Sequence, residues 1–327
     1  MKNFFIESLL ILILGALTSL SLPPFNFYII NFFTFSLFFI FLFKKLNLNY
    51  KKKFYFYYGW LFGFSYFLTN LYWITISLTF DKNLSFLLPL ALILIPAFLA
   101  LFYALITFLF YIYNPKNILS AFFIFSLLFG IIEFLRGIVL TGFPWNLVVY
   151  SLSKNLNLIN IVSVIGTYSL NLILISFFML PALLIFRKSS KEIYITIFIL
   201  ILPIIFFNYG IFQKKNFLNK KAKENSFIIR AIGSNIDINR FYNNSQAETV
   251  INELISISSP IPSKKIFFIW PEGIIPNTYQ DELILYNDII NKNFNENHFI
   301  GLGITNKKIT DDSIKYYNSF SVYDNNL

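Results

Sequence analysis

Hydrophobic positions run almost unbroken through the first two thirds of the chain, and after about residue 225 they give way to short blocks separated by polar turns. Stretches near 4–22, 27–43, 55–79, 85–113, 118–136, 157–186 and 193–212 stay apolar over the ~18 residues or more that a helix rising ~1.5 Å per residue needs to cross a hydrocarbon core of ~30 Å. The pattern predicts a bundle of about seven membrane-spanning helices. The first stretch lacks a small-residue cleavage site and is followed at once by another apolar run, so it reads as a retained helix. Beyond residue 225 the order changes. SFIIRAIGSNI, KKIFFIW and HFIGLGIT read as strands, AETVINELISI and DELILYNDIINKNF carry helical spacing, and KYYNSFSVYD alternates as a half-buried strand would. Strand–helix–strand–helix–strand is the order of an α/β layer. The reading therefore divides the chain into a helical bundle (1–212), a basic linker (213–225) and an α/β domain (226–327).

Composition points the same way. At 57% hydrophobic and 13% charged residues, with a mean hydropathy of +0.65, the chain is too apolar for a soluble globular protein of 327 residues. The absence of cysteine removes disulfides, thiolate metal sites and thiol nucleophiles from these residues. The net charge of +10 comes from lysine in a chain also rich in Phe, Ile, Asn and Tyr, and gives no indication of nucleic acid.

The placement of the charges is more informative than their sum. Basic residues collect at alternate turns: Lys2, then Lys44, Lys45, Lys51, Lys52 and Lys53, then Lys116, then Arg187, Lys188 and Lys191. The positive-inside rule puts those turns in the cytoplasm. The turns between them hold Lys82, Lys154 and Arg136 and face outward. An odd number of spans then delivers the α/β domain to the outer side, behind the cluster Lys214, Lys215, Lys220, Lys221 and Lys223.

One acid stands out in IFFIWPEGIIP. A residue before proline is pushed to extended geometry, so Trp270 closes a strand and Pro271 fixes the turn that presents Glu272 at the strand's carboxyl end. Ligands of α/β sheets bind there, which makes Glu272 a candidate general base; on spacing alone a helix N-cap or a solvated loop acid fits as well. Other constellations fail. His298, the sole histidine, opens a strand without a carboxylate motif nearby and is expected at the surface or a sheet edge. Gly301 and Gly303 form a G-x-G without the third glycine or following helix of a phosphate loop. No metal or cofactor site is expected.

Several segments together, GWLFGFSYFLTNLYWI (59–74), EFLRGIVLTGFPWNLVVYS (133–151), GTYSLN (166–171), SNIDINRFY (234–242), IWPEGIIP (269–276) and YNS (317–319), resemble the N-terminal two thirds of bacterial apolipoprotein N-acyltransferases. The resemblance implies a multi-pass inner-membrane enzyme, N-terminus cytoplasmic, with a periplasmic nitrilase-like domain, an αββα sandwich of the carbon-nitrogen hydrolase type. It implies transfer of an acyl chain from a phospholipid to the N-terminal diacylglyceryl-cysteine of a lipoprotein through a thioester, by a Glu-Lys-Cys set. The glutamate of that set falls on Glu272.

The lysine and cysteine segments have no counterpart in 1–327, and the last strand stops at Asp324, Asn325 and Asn326, the composition of a hairpin turn. The expectation is a fragment, inactive alone unless a second chain supplies them, with an incomplete sandwich, an open strand edge and a poorly ordered 225–327 segment. Within the bundle, Glu133 and Arg136 stand at i,i+3 and can pair, while Arg136, Trp145, Tyr72 and Trp73 are candidates for phospholipid contact at the outer side. Interfacial anchoring explains the three aromatics equally well. Two rivals remain open: a membrane-tethered nitrilase-like amidase, and a polytopic lipid-binding or transport protein without chemistry, the latter suggested by Pro89 and Pro96 interrupting the fourth apolar run.

Overall fold

In a computed structural model, which describes residues 2–48, 50–81, 83–220, 227–235, 246–310 and 313–327, the chain forms two compact units, Met1–Lys220 and Lys221–Leu327. Lys82, Lys221, Lys223 and most of SNIDINRFY lie outside the described residues.

The first unit is helical: α1 (Lys2–Ser19), α2 (Ile30–Asn47), α3 (Lys52–Leu71), α4 (Leu88–Tyr113), α5 (Ile118–Arg136), the short α6 (Leu156–Ile159) and α7 (Val162–Ile165), then α8 (Thr167–Phe178), α9 (Leu180–Ile185) and α10 (Ser190–Asn219). Five helical stretches, Lys52–Thr79, Ser85–Tyr113, Ile118–Arg136, Thr167–Ile185 and Ser190–Asn219, are long and apolar enough to cross a membrane. α1 and α2 have 18 residues each, about 27 Å at ~1.5 Å per residue, close to the hydrocarbon thickness. The sixth apolar run is not one helix: residues 156–165 form two separate turns, and the long helical stretch begins at Thr167. Pro89 sits in the first turn of α4, where its missing N–H costs nothing, and the helix runs on through Pro96, so only one proline lies inside it.

Small residues let these helices approach. A Cβ at Gly59 would overlap Thr107 Oγ1 and the Tyr103 carbonyl on α4, and one at Gly63 would press on Tyr103, so GWLFG is the seam between α3 and α4. Thr107 Oγ1 donates to the Tyr55 carbonyl across that seam at 2.7 Å. Behind it lies an aromatic core in which Phe38 stacks on Phe62 at 4.2 Å and Tyr103 meets Phe129 edge-on at 5.1 Å. α10 starts at a capping box in which Ser189 and Glu192 satisfy each other's backbone donors. It continues to Asn219, so residues 213–219 of the expected linker are helical.

The second unit is a four-stranded sheet in the order β1 (Ile228–Ala231), β2 (Ile266–Ile269), β3 (His298–Thr310), β4 (Ser313–Tyr323), with α11 (Ala247–Ser258) and α12 (Asn287–Asn293) in the connections. β1, β2 and β3 are parallel and β4 returns antiparallel to β3. The expected strand–helix alternation is present, and the described residues of the segment form a sheet with its own core, where a poorly ordered segment was expected. Val250, Ile251 and Leu254 of α11 pack with Ile266, Phe268, Ile300 and Leu302 on one sheet face. The other face is open: Ile229, Phe299, Phe320 and Val322 are exposed. For that reason β4 is mostly exposed, where alternation suggested half burial.

Two expectations about side chains change. His298 is 1% exposed, not at the surface: its Nδ1 accepts from the Asn295 N–H at 3.1 Å, which leaves Nε2–H to donate to the Ile261 carbonyl at 3.1 Å. It is a satisfied core residue packed against Phe268 and Phe294. Glu272 caps no helix, since the next helical turn begins only at Gln280.

Candidate active site

Glu272 is placed by two hydrogen bonds that flank it. Trp270 N–H donates to the Gly301 carbonyl at 2.8 Å, keeping the chain in register with β3 just past β2, and Gly273 N–H donates to the Gly303 carbonyl at 3.0 Å. Between them Pro271 sets the turn, and Gly273 takes a φ of +57°, a left-handed conformation that favours glycine. Trp270 anchors the turn from inside: it is 3% exposed and its Nε1–H donates to Ser258 Oγ at 2.9 Å.

The Glu272 side chain lies against Gly303. A Cβ there would come within 2.9 Å of Glu272 Cγ and 3.0 Å of its Cα, closer than packed carbons approach. Gly303 is thus the cradle of the acid, a role the G-x-G pattern did not suggest. The carboxylate Oε1 accepts from Asn318 Nδ2 at 2.5 Å. Asn318 stands opposite Thr305 in the β3–β4 ladder and belongs to the YNS segment. By the period-two alternation, Asn318 shares the open face of the sheet with Phe320 and Val322. An exposed carboxylate, oriented by a neutral amide donor and backed by bare backbone, can accept a proton from a group arriving on that face. Gly303→Ala is expected to push Glu272 off this position at a cost of about 1–3 kcal/mol, the range for overpacking. Urea unfolding of the variant checks it, and an unchanged midpoint contradicts the cradle.

In the helical unit, Trp73 and Trp145 come together, stacked with ring centres 5.4 Å apart and planes at 18°. With Ile76, Phe80 and Phe143 they line an apolar groove of about 510 Å³. Tyr72 is exposed and does not line it. Arg136 lies behind the groove and is enclosed. Its Nε and Nη2 both donate to Glu133 Oε2, and its Nη1 donates to the carbonyls of Phe143 at 2.6 Å and Trp145 at 2.9 Å. Glu133 Oε1 in turn accepts from Tyr103 at 2.6 Å, and the guanidinium carbon sits 5.2 Å from the Phe67 ring centre. With a side chain 0% exposed and four of its five N–H donors engaged by Glu133 and the 143–145 carbonyls, Arg136 shapes that loop from inside the bundle.

The helical unit matches the family described as apolipoprotein N-acyltransferase N-terminal domain over residues 14–180, just over half of the chain. The chain belongs to that family. Among similar proteins named apolipoprotein N-acyltransferase, that of Rickettsia prowazekii is 37% identical over 50% of this chain and 32% of its own length. That of Brucella melitensis is 27% identical over 80% of this chain and 51% of its own length. That of Rhizobium etli is 26% identical over 98% of this chain and 62% of its own length, so the likeness to an N-acyltransferase reaches across the sheet unit as well. The chain spans about half the length of the curated relatives it matches. Five long apolar helices and the N-acyltransferase family together mark it as a membrane protein.

Proposed function

We propose that this chain carries the membrane bundle and the general base of an apolipoprotein N-acyltransferase, acting on a membrane phospholipid as acyl donor and a diacylated apolipoprotein as acceptor. The observation that carries the proposal is Glu272, held over Gly303 and oriented by Asn318 on the open sheet face of a chain in this family.

In this reading Glu272 takes the proton of a thiol, and the thiolate attacks the ester carbonyl of the phospholipid. The glycerol oxygen leaves with that proton, giving a lysophospholipid and a thioester. The α-amine of the lipoprotein's first residue then attacks the thioester; Glu272 accepts the amine proton and returns it to the departing sulfur. Residues 1–327 contain no cysteine, so the thiol of this scheme comes from outside them. The helix-covered sheet with its apolar open face fits one half of a nitrilase-like αββα sandwich, with another sheet over Ile229, Phe299 and Val322. The Trp73–Trp145 groove is a candidate seat for an acyl chain, with Arg136 as a positioning residue behind it.

In the membrane, α1 and α2 would bring the spans to about seven, with the N-terminus in the cytoplasm of the inner membrane and the sheet unit in the periplasm. Reporter enzymes fused after residues 50 and 215 are expected to be active on opposite sides; activity of both in one compartment refutes that topology.

The function itself is tested with a chimera that joins this chain to the remaining C-terminal part of the Rhizobium etli relative. Incubated with labelled phospholipid and a diacylated lipopeptide, the chimera is expected to yield labelled N-acyl lipopeptide, while residues 1–327 alone yield none. A folded, membrane-inserted chimera that leaves the lipopeptide unlabelled refutes the proposal.

A further inference from the structure

The wall of the Trp73–Trp145 groove that carries Phe143 and Trp145 is held by side chains rather than by a backbone ladder. Four consecutive carbonyls along it each accept from a side chain: Phe143 and Trp145 from Arg136, Pro144 from the Tyr150 hydroxyl at 3.3 Å, and Asn146 from the Tyr66 hydroxyl at 2.6 Å. About two thirds of the hydrogen bonds in a protein join backbone to backbone, so such a run needs donors brought to it from elsewhere in the chain. Tyr66 comes from α3 and Arg136 from α5, and just past the wall Asn171 of α8 accepts the Val149 N–H through Oδ1 at 2.9 Å.

The backbone they grip is not a relaxed one. Leu140 and Asn146, on either side of Phe143–Trp145, take φ of +53° and +58°, left-handed conformations that cost a residue with a Cβ and persist where the surroundings fix them. Leu147, Val148 and Val149 are each 0% exposed, whereas Trp145 is 49% exposed. The loop is therefore gripped from inside the bundle and presents its ring outward. Tyr66 is 0% exposed and stacks on Tyr103 with ring centres 5.9 Å apart, which aims its hydroxyl at the carbonyl next to Trp145.

We propose that Tyr66 is a positioning residue for acyl transfer: it holds the Asn146 carbonyl, so that Asn146 keeps its left-handed turn, the Trp145 ring stays stacked on Trp73, and the groove keeps its width. Tyr66 lines no part of the groove and acts through Trp145. The inference rests on the reading of the groove as the seat of the donor's acyl chain. A wall fixed before the chain arrives needs no ordering on binding, so loosening it weakens donor binding and leaves proton transfer at Glu272 as it was.

The test combines hydrogen–deuterium exchange on the whole chain in detergent with kinetics of the chimera. Tyr66→Phe keeps the ring and removes only the hydroxyl. Amides of residues 145–149 are expected to exchange on the order of three- to tenfold faster, the weight of one hydrogen bond in a local opening. In the chimera the KM for the labelled phospholipid is expected to rise severalfold, with kcat and the KM for the lipopeptide unchanged. Tyr55→Phe is the control: it removes a hydroxyl that donates to the Leu42 carbonyl at 3.1 Å from a similarly buried tyrosine of the same helix, and should alter neither readout. Tyr150→Phe, at a half-buried position where the core stays closed, should shift both readouts in the direction of Tyr66→Phe by a smaller factor. Unchanged exchange in Tyr66→Phe overturns the hold on the loop. Faster exchange with an unchanged donor KM, or a fall in kcat that Tyr55→Phe reproduces, overturns the positioning role. A parent chimera that transfers no acyl chain refutes the N-acyltransferase reading instead, and the exchange result then still decides whether Tyr66 holds the loop.

Discussion

Glu272→Gln in the chimera is expected to reduce N-acylation of the lipopeptide on the order of 10²–10⁴-fold, the range for losing a positioned general base. The amide keeps the volume of the acid, so packing over Gly303 is preserved and Asn318 still has a carbonyl to donate to. What is lost is the capacity to accept a proton. Membrane insertion and the sheet's circular dichroism should not change, and that combination separates loss of chemistry from loss of fold. Transfer at near-parental rate would remove Glu272 from the mechanism. Asn318→Ala supplies a graded comparison, because it frees the carboxylate from its orienting donor without discharging it.

The second large effect is expected at Glu133. Its carboxylate and the Arg136 guanidinium are both 0% exposed, and each is the other's only charge partner among the described residues. Glu133→Gln leaves an uncompensated cation in the bundle, which costs about 3–5 kcal/mol when a buried pair is broken from one side. The thermal midpoint of the helical unit in detergent should fall accordingly. The 143–145 loop should loosen as well, because Arg136 holds two of its carbonyls. An unchanged midpoint would show that the pair is not enclosed in the folded bundle.

Particular residues show where the sequence is readable and where it stops. The long apolar runs are legible because a helix in hydrocarbon must be apolar over its whole length, whatever its neighbours. The position of Glu272 after β2 is legible because Trp270-Pro271 restricts the local backbone. Helix ends are less so: the polar QKKNFLN stretch continues α10 because hydropathy marks lipid contact, not hydrogen bonding along the helix. Contacts across the sheet are not legible at all. Asn318 meets Glu272 from 46 positions away, and nothing local to either residue announces it. Gly303 in a strand signals only a bulge or a close approach, and what approaches is visible only in three dimensions. His298 was misplaced for the same reason, since the carbonyl that satisfies its ring belongs to Ile261, 37 positions earlier. Arg136 could be paired with Glu133 from its spacing, but its hold on the FPW loop depends on how the chain turns back after Gly137.

The stacked pair Trp73 and Trp145 is also an optical device. The chain has four tryptophans, and the other two, Trp60 and Trp270, each donate their indole N–H to a fixed oxygen. Two indoles at 5.4 Å, stacked nearly parallel, couple their excited states. The near-ultraviolet circular dichroism of the folded chain therefore carries a component that belongs to the groove alone. An acyl chain that wedges the rings apart would erase it without a label, and the groove's occupancy can be followed in intact vesicles by light alone.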